Sequence, residues 1–144
     1  MTNTIDNSSL FISGEFTNKT VTVPADTTLS GGTVLGEIAA SGKLAQFKSG
    51  NTNGTEIPCY VLIQDVANTT DASADFANIC VMQIGLMAEN KLIFDGEDDL
   101  ATIVETVVVP VNGQTPAVTK QLGTVQTLLK NAGILTVKSH DVVE

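Results

Sequence analysis

From residue 20 to residue 86, short apolar runs alternate with dense clusters of turn formers, a cadence that leaves little room for helices. Thr20, Val21, Thr22 and Val23 alternate polar and apolar and stop at Pro24, the pattern of a short strand near a sheet edge. Residues 34–39 and 44–48 are joined by Ala40-Ser41-Gly42-Lys43, where Gly42 can take the positive φ that a tight turn demands. This spacing predicts a β-hairpin. Residues 50–55, Gly-Asn-Thr-Asn-Gly-Thr, reverse the chain again before Cys59, Tyr60, Val61, Leu62 and Ile63, a run suited to a strand covered on both faces. A polar loop over 68–75 leads to a further strand-like run at 79–86. Five short strands with turns between them predict a mostly β fold with a small barrel-like core, in one domain.

The second half changes character. Leu100, Ile103, Val104, Val107 and Val108 follow helical spacing behind Asp98, a good N-cap, while the β-branched run 107–109 favours a strand. The reading leans to a helix ending near Thr106. Residues 110–117 carry two prolines, Asn112 and Gly113, and read as a loop. Beyond it Leu122, Val125, Leu128, Leu129 and Ala132 lie on one helical face, Gly133 is placed as a C-terminal cap, and residues 134–138 alternate as a closing strand. At the other end the first residues are polar and small, and residues 1–18 read as a flexible N-terminal arm ahead of a domain over 19–144. The expected core is Val61, Leu62, Ile63, Val81, Ile84, Leu86, Val125, Leu128 and Ile134.

Charge and composition exclude several functions. The net charge is −9 and every basic residue is a lysine, so the chain lacks the clustered Lys and Arg that phosphate contacts need; no nucleic-acid partner is expected. No apolar stretch approaches a membrane span, and residues 1–9 lack the basic and apolar regions of a signal peptide, so neither a membrane partner nor secretion is expected. Cys59 and Cys80 match no metal-ligand spacing and read as free thiols. The Asn-x-Ser/Thr sequons at Asn7, Asn18, Asn53 and Asn68 reflect an Asn- and Thr-rich composition.

The candidates for chemistry fall one by one. Gly36 to Gly42 is a residue too long for a phosphate loop, and Leu44 stands where Ser or Thr would hold magnesium. Asp95, Glu97 and Asp99 alternate like calcium ligands, but Leu100 and Thr106 occupy the places of the required Gly and Glu; the acids suit the start of a helix better. His140, the one histidine, lies beside Ser139 and Asp141 near the C-terminus, a poor place for catalytic geometry. Asp65, Asp71 and Asp75 could pair for acid–base work, yet loop acids are usually solvated. No catalytic, metal or cofactor site is expected, and the chain reads as a non-enzyme.

Val34-Leu35-Gly36-Glu37, Ser41-Gly42-Lys43-Leu44, Asn53-Gly54-Thr55-Glu56 and the run 60–65 together resemble the core pattern of the head decoration proteins of tailed bacteriophages, the family of the lambda decoration protein. The likeness continues through 78–90 into Glu89-Asn90-Lys91-Leu92 and to Leu128-Leu129-Lys130-Asn131-Ala132-Gly133-Ile134, covering roughly residues 20–138. It implies a β-tulip-like fold with one or two short helices, made in the host cytoplasm and placed on the outer surface of the virion capsid. It further implies a homotrimer that cements the major capsid protein at three-fold and quasi-three-fold positions of the expanded head, against the pressure of packaged DNA. The arm would dock Ile5, Leu10, Phe11, Ile12, Phe16, Val21 and Val23 by adding a strand to a capsid sheet. Gly42, Lys43, Asn53 and Gly54 would offer further interface loops. The chain departs from compact members in the length of 95–120. Two other readings compete: a surface- or carbohydrate-binding β module of a virion appendage, which the shortage of aromatic residues disfavours, and a hydrolase using the loop carboxylates.

Overall fold

Neighbouring residues along the central strands face two different cores, which is why their sequences read as unbroken apolar runs. The computed structural model describes residues 11–96, 98–108 and 118–137. The strands are β1 (Phe11–Val23), β2 (Thr27–Leu29), β3 (Val34–Glu37), β4 (Leu44–Gln46), β5 (Pro58–Leu62), β6 (Val66–Asn68), β7 (Ala74–Ala88), β8 (Ile103–Val108), β9 (Val118–Thr124) and β10 (Ile134–Val137). A short 3-10 turn spans Glu89–Lys91, and the α-helix among the described residues, α1, spans Val125–Ala132. Five strands in the order β1-β4-β3-β5-β7 close into a barrel through the long β1–β7 pairing, and β10 adds to the outer edge of β7.

Leu35, Leu62 and Val81 point into the barrel with Val21, Val23, Leu44 and Ile79, where β2 and β6 contribute Leu29 and Val66. Their sequence neighbours Val34, Val61 and Met82 point outward, beneath α1 and β10, against Val125, Leu129, Ile134, Phe47, Met87 and Val104. α1 is set by local chemistry. Thr124 caps it by accepting from the Thr127 N–H, and Gly133 ends it in the left-handed region at φ 112°.

The hairpin expected at 34–48 forms, with Leu35 opposite Gln46 and Gly42 at φ 75° in the turn. The strand expected at 20–23 is longer: β1 begins at Phe11 and pairs with β7 throughout, so residues 11–18, assigned to the arm, lie in the sheet, while 1–10 lie outside the described residues. The helix expected at 98–106 is instead a turn followed by β8. Asp98 caps no helix; its carboxylate accepts from the Ser49 N–H (3.0 Å) and hydroxyl (2.7 Å), and the β-branched residues that follow pair with β9. The expected loop at 110–117 falls outside the described residues. Of the expected core, Val61, Leu62, Val81, Val125 and Ile134 are fully buried, Ile63, Leu86 and Leu128 are half-buried, and Ile84 is 45% exposed. Ile84 sits beside a β-bulge: Glu15 stands opposite Ile84 but Phe16 opposite Met82, which leaves Gln83 as the extra residue and interrupts the alternation.

Candidate binding surface

β7 organises the exposed surface. It meets β5 at Val61↔Met82, and farther on takes β10 as a parallel neighbour from Ile134↔Gly85 to Val137↔Ala88. With β1 antiparallel on the opposite side, the end of β7 is the centre of a three-stranded wall, β1-β7-β10. β1 touches β4 only at Val21↔Leu44, so among the described residues 11–15 have β7 on one side and no second strand on the other. Such an edge presents a row of backbone donors and acceptors that another strand can pair with.

The outer face of the wall carries exposed apolar side chains, with Glu15 opposite Ile84 at its β1 side. Leu135 stands in register with half-buried Leu86, and Ile84 lies two residues away on the same side. Leu135 is 48% exposed, while Ile134 and Met87, facing the other way, are fully buried. Beside the same end of β7, Leu92, Phe94 and Leu100 line a groove of about 510 Å³ together with Glu89 and Asp99.

The residues expected to bind do not form one site. Val21 and Val23 are completely buried in the barrel, so their side chains are core rather than docking groups, a correction that follows from β1 closing the barrel. Phe16 is 42% exposed on the wall. Ile5 and Leu10 lie outside the described residues, and Phe11 and Ile12 are placed on β1. Gly42 is exposed at the hairpin tip, where Lys43 pairs with Asp75. Hydrogen bonds from Lys43 and Thr22 hold the Asp75 carboxyl below the usual carboxylate range.

Asn53 and Gly54 belong to a structural clamp. The Asn53 carbonyl accepts from the Ala39 N–H at 2.8 Å, and Asn53 Oδ1 accepts from the Thr55 N–H (3.1 Å) and hydroxyl (2.6 Å). Gly54 sits at φ 110°, and a Cβ there would stand 2.3 Å from the Glu37 carbonyl oxygen, so only glycine fits. Asn68 repeats the motif, its Oδ1 accepting from the Thr70 N–H (3.0 Å) and hydroxyl (2.6 Å). Two of the sequons are therefore turns that hold their own threonine.

The other candidates are placed apart. Asp65 accepts from the Gly31 N–H at 2.8 Å, while Asp95 pairs with Lys48 at 3.5 Å. Asp99 Oδ1 accepts from the Ala101 N–H at 2.8 Å. Among the described residues no group of His, Cys, Asp and Glu could hold a metal ion. Cys59 and Cys80 are free and half-buried, and burial, with Glu37 nearby, pushes the Cys59 thiol up to about 11, away from reactive thiolate chemistry. Lys19 lies over the ring of Tyr60 at 5.5 Å, so the one tyrosine is covered on that face rather than offered as a stacking platform. His140 lies outside the described residues.

Residues 6–107 match the family model of the bacteriophage lambda head decoration protein D. The chain belongs to that family. No curated protein matches it. Membership makes it a structural decoration protein that binds the phage capsid and lies on its outer surface. The match takes in part of the N-terminal segment as well as the barrel, and it ends inside β8. β9, α1 and β10 follow it, so the likeness read at 128–134 lies beyond the matched residues. Sequence reasoning placed the sheet edge at 20–23, where Val21 pairs on both sides, and missed the open edge at 11–15 and the exposure of Ile84. Glu15 and Lys19, charges of the kind that guard an edge strand, were the available signal for the first.

Proposed function

We propose that this decoration protein attaches as a homotrimer to the outside of the expanded head at three-fold and quasi-three-fold positions. There it cements neighbouring major capsid protein subunits against the pressure of packaged DNA. The N-terminal segment makes the attachment: residues 1–10 add to a capsid sheet, with Ile5 and Leu10 as apolar anchors and Phe11, Ile12 and Phe16 continuing the contact along β1. The observation that carries this reading is the one-sided pairing of residues 11–15, whose second edge can accept a partner strand. The protein is synthesised in the host cytoplasm and needs no cofactor or nucleic acid. Its contribution is interface area repeated over a lattice, where many modest contacts sum.

Ordering the segment costs roughly 1–2 kcal/mol per residue, which strand pairing and the anchors together must outweigh. The test is deletion of residues 2–10. A cut at 15 would also remove the pairing of Phe11 through Glu15 with β7. The shortened protein should unfold like the full chain yet bind expanded capsids roughly a hundredfold more weakly, about 2.8 kcal/mol, in a cosedimentation assay. Unchanged affinity would move the contact to the hairpin and loop around Gly42 and Asn53.

A further inference from the structure

β8 and β9 pair with each other from Ile103↔Thr124 to Val108↔Val118, and among the described residues neither pairs with any other strand. Their root is firmly held. Val104 is fully buried against Val125 and Leu129, and the Thr102 and Leu100 carbonyls accept from the Val125 (2.9 Å) and Gln126 (3.0 Å) N–H groups. Ile103, opposite Thr124 at the root itself, is 50% exposed, and among the described residues the ribbon has two open edges. A two-stranded ribbon is marginal in water by itself, and exposed edges are normally guarded by charge. Here residues 103–124 hold one acid, Glu105, and one base, Lys120, in a chain of net charge −9.

We infer that the β8–β9 ribbon is a contact between copies of this chain, completing its sheet against a neighbouring decoration protein. Three observations select a second copy as the occupant. The ribbon is electrically neutral, so two strongly acidic copies can approach through it without like-charge repulsion. It lies largely beyond residue 107, where the family match ends, so the capsid attachment that the family shares does not depend on it. Its root stands at the end of the barrel where β1 begins: Gln126, at the start of α1, donates to Thr136 Oγ1 at 3.1 Å and to Glu89 Oε2 at 3.5 Å, just past the end of β7. Copies attached to a shell by that end hold their ribbon roots at one level. The inference rests on the reading of the chain as a self-associating decoration protein, and it assigns that association to an element of this chain's own.

The test shortens the ribbon without disturbing its root. Replacing residues 106–120 by Asn-Gly joins Glu105 to Gln121, which already face each other, through a two-residue hairpin turn. Full-length and shortened proteins are compared by circular dichroism and thermal unfolding, by sedimentation across a concentration series, and by crosslinking on decorated shells with a gel readout. The shortened protein should keep its fold and bind shells. Its self-association in solution should be at least about tenfold weaker, or its crosslinked multimers on shells should be lost if the full chain is monomeric in solution. Equal association of both proteins overturns the ribbon contact and leaves the trimer standing. A full chain that associates neither in solution nor on shells overturns both. A shortened protein that is unfolded also overturns the inference, because the ribbon would then be part of the domain's own core.

Discussion

The barrel and the β8–β9 ribbon use the same kind of sequence, rich in valine and threonine, to opposite ends. In the barrel the central strands are covered: β3, β5 and the middle of β7 contribute to cores on both faces, and the loops are tied down by Asn53 and Asn68. In the ribbon Val104 is buried in the core and Leu122 packs against it, both at the root, and no third strand is present among the described residues. The difference teaches where stability and assembly reside. Burial on two faces makes the barrel a rigid block, and a ribbon without a third strand is left for contacts outside the domain.

The largest way to break this comparison is to open the barrel. Leu62→Ala and Leu129→Ala each remove a fully buried side chain, one from each core, and each should cost about 2–5 kcal/mol by chemical denaturation. If either variant matched the wild type, the two-core description would be wrong at that site. Leu128, on the same helix, is half-buried and should cost less than Leu129.

A sharper probe is Asn68, which is 2% exposed and donates through Nδ2 to the carbonyls of Val23 (2.9 Å), Pro24 (3.0 Å) and Ala72 (2.9 Å). Asn68→Ala leaves those buried acceptors without their donor and should cost about 1–3 kcal/mol. A wild-type unfolding midpoint would mean the clamp is decorative.

The smallest effect is at the hairpin tip. The folded carboxyl of Asp75 is held below its ordinary value, so its contribution is present above about pH 4 and fades as pH falls through the lowered folded value. The stability difference between wild type and Asp75→Asn should be constant from pH 7 to about pH 5 and close under more acid conditions. The pair is exposed, so the difference should be small, and a difference that grew on acidification would contradict the pairing.

The comparison also explains what could be read from the sequence. Strands with two packed faces announce themselves as apolar runs, and the hairpin, β5, the centre of β7, α1 with Gly133, and β10 were all legible. β8 was not, because Leu100, Ile103, Val104 and Val107 are spaced like a helix, and the strand reaches the same positions through a turn at its start and a register shift between Val104 and Glu105. β2 and β6, three residues each, are too short to carry a period. The start of β1 was hidden by its polar residues, and the exposure of Ile84 by the bulge at Gln83. The features least visible in the sequence are therefore those on the candidate binding surface, where alternation is broken and an edge is left open.

The central claim is that the chain works by occupying defined places on the outside of a capsid. Purified full-length protein added to undecorated expanded capsids and imaged by cryo-electron microscopy tests it directly. The account predicts knobs of density at three-fold and quasi-three-fold positions, with the start of β1 turned toward the shell. Bare shells, or knobs touching the capsid only through the tip of the 34–48 hairpin, would contradict it.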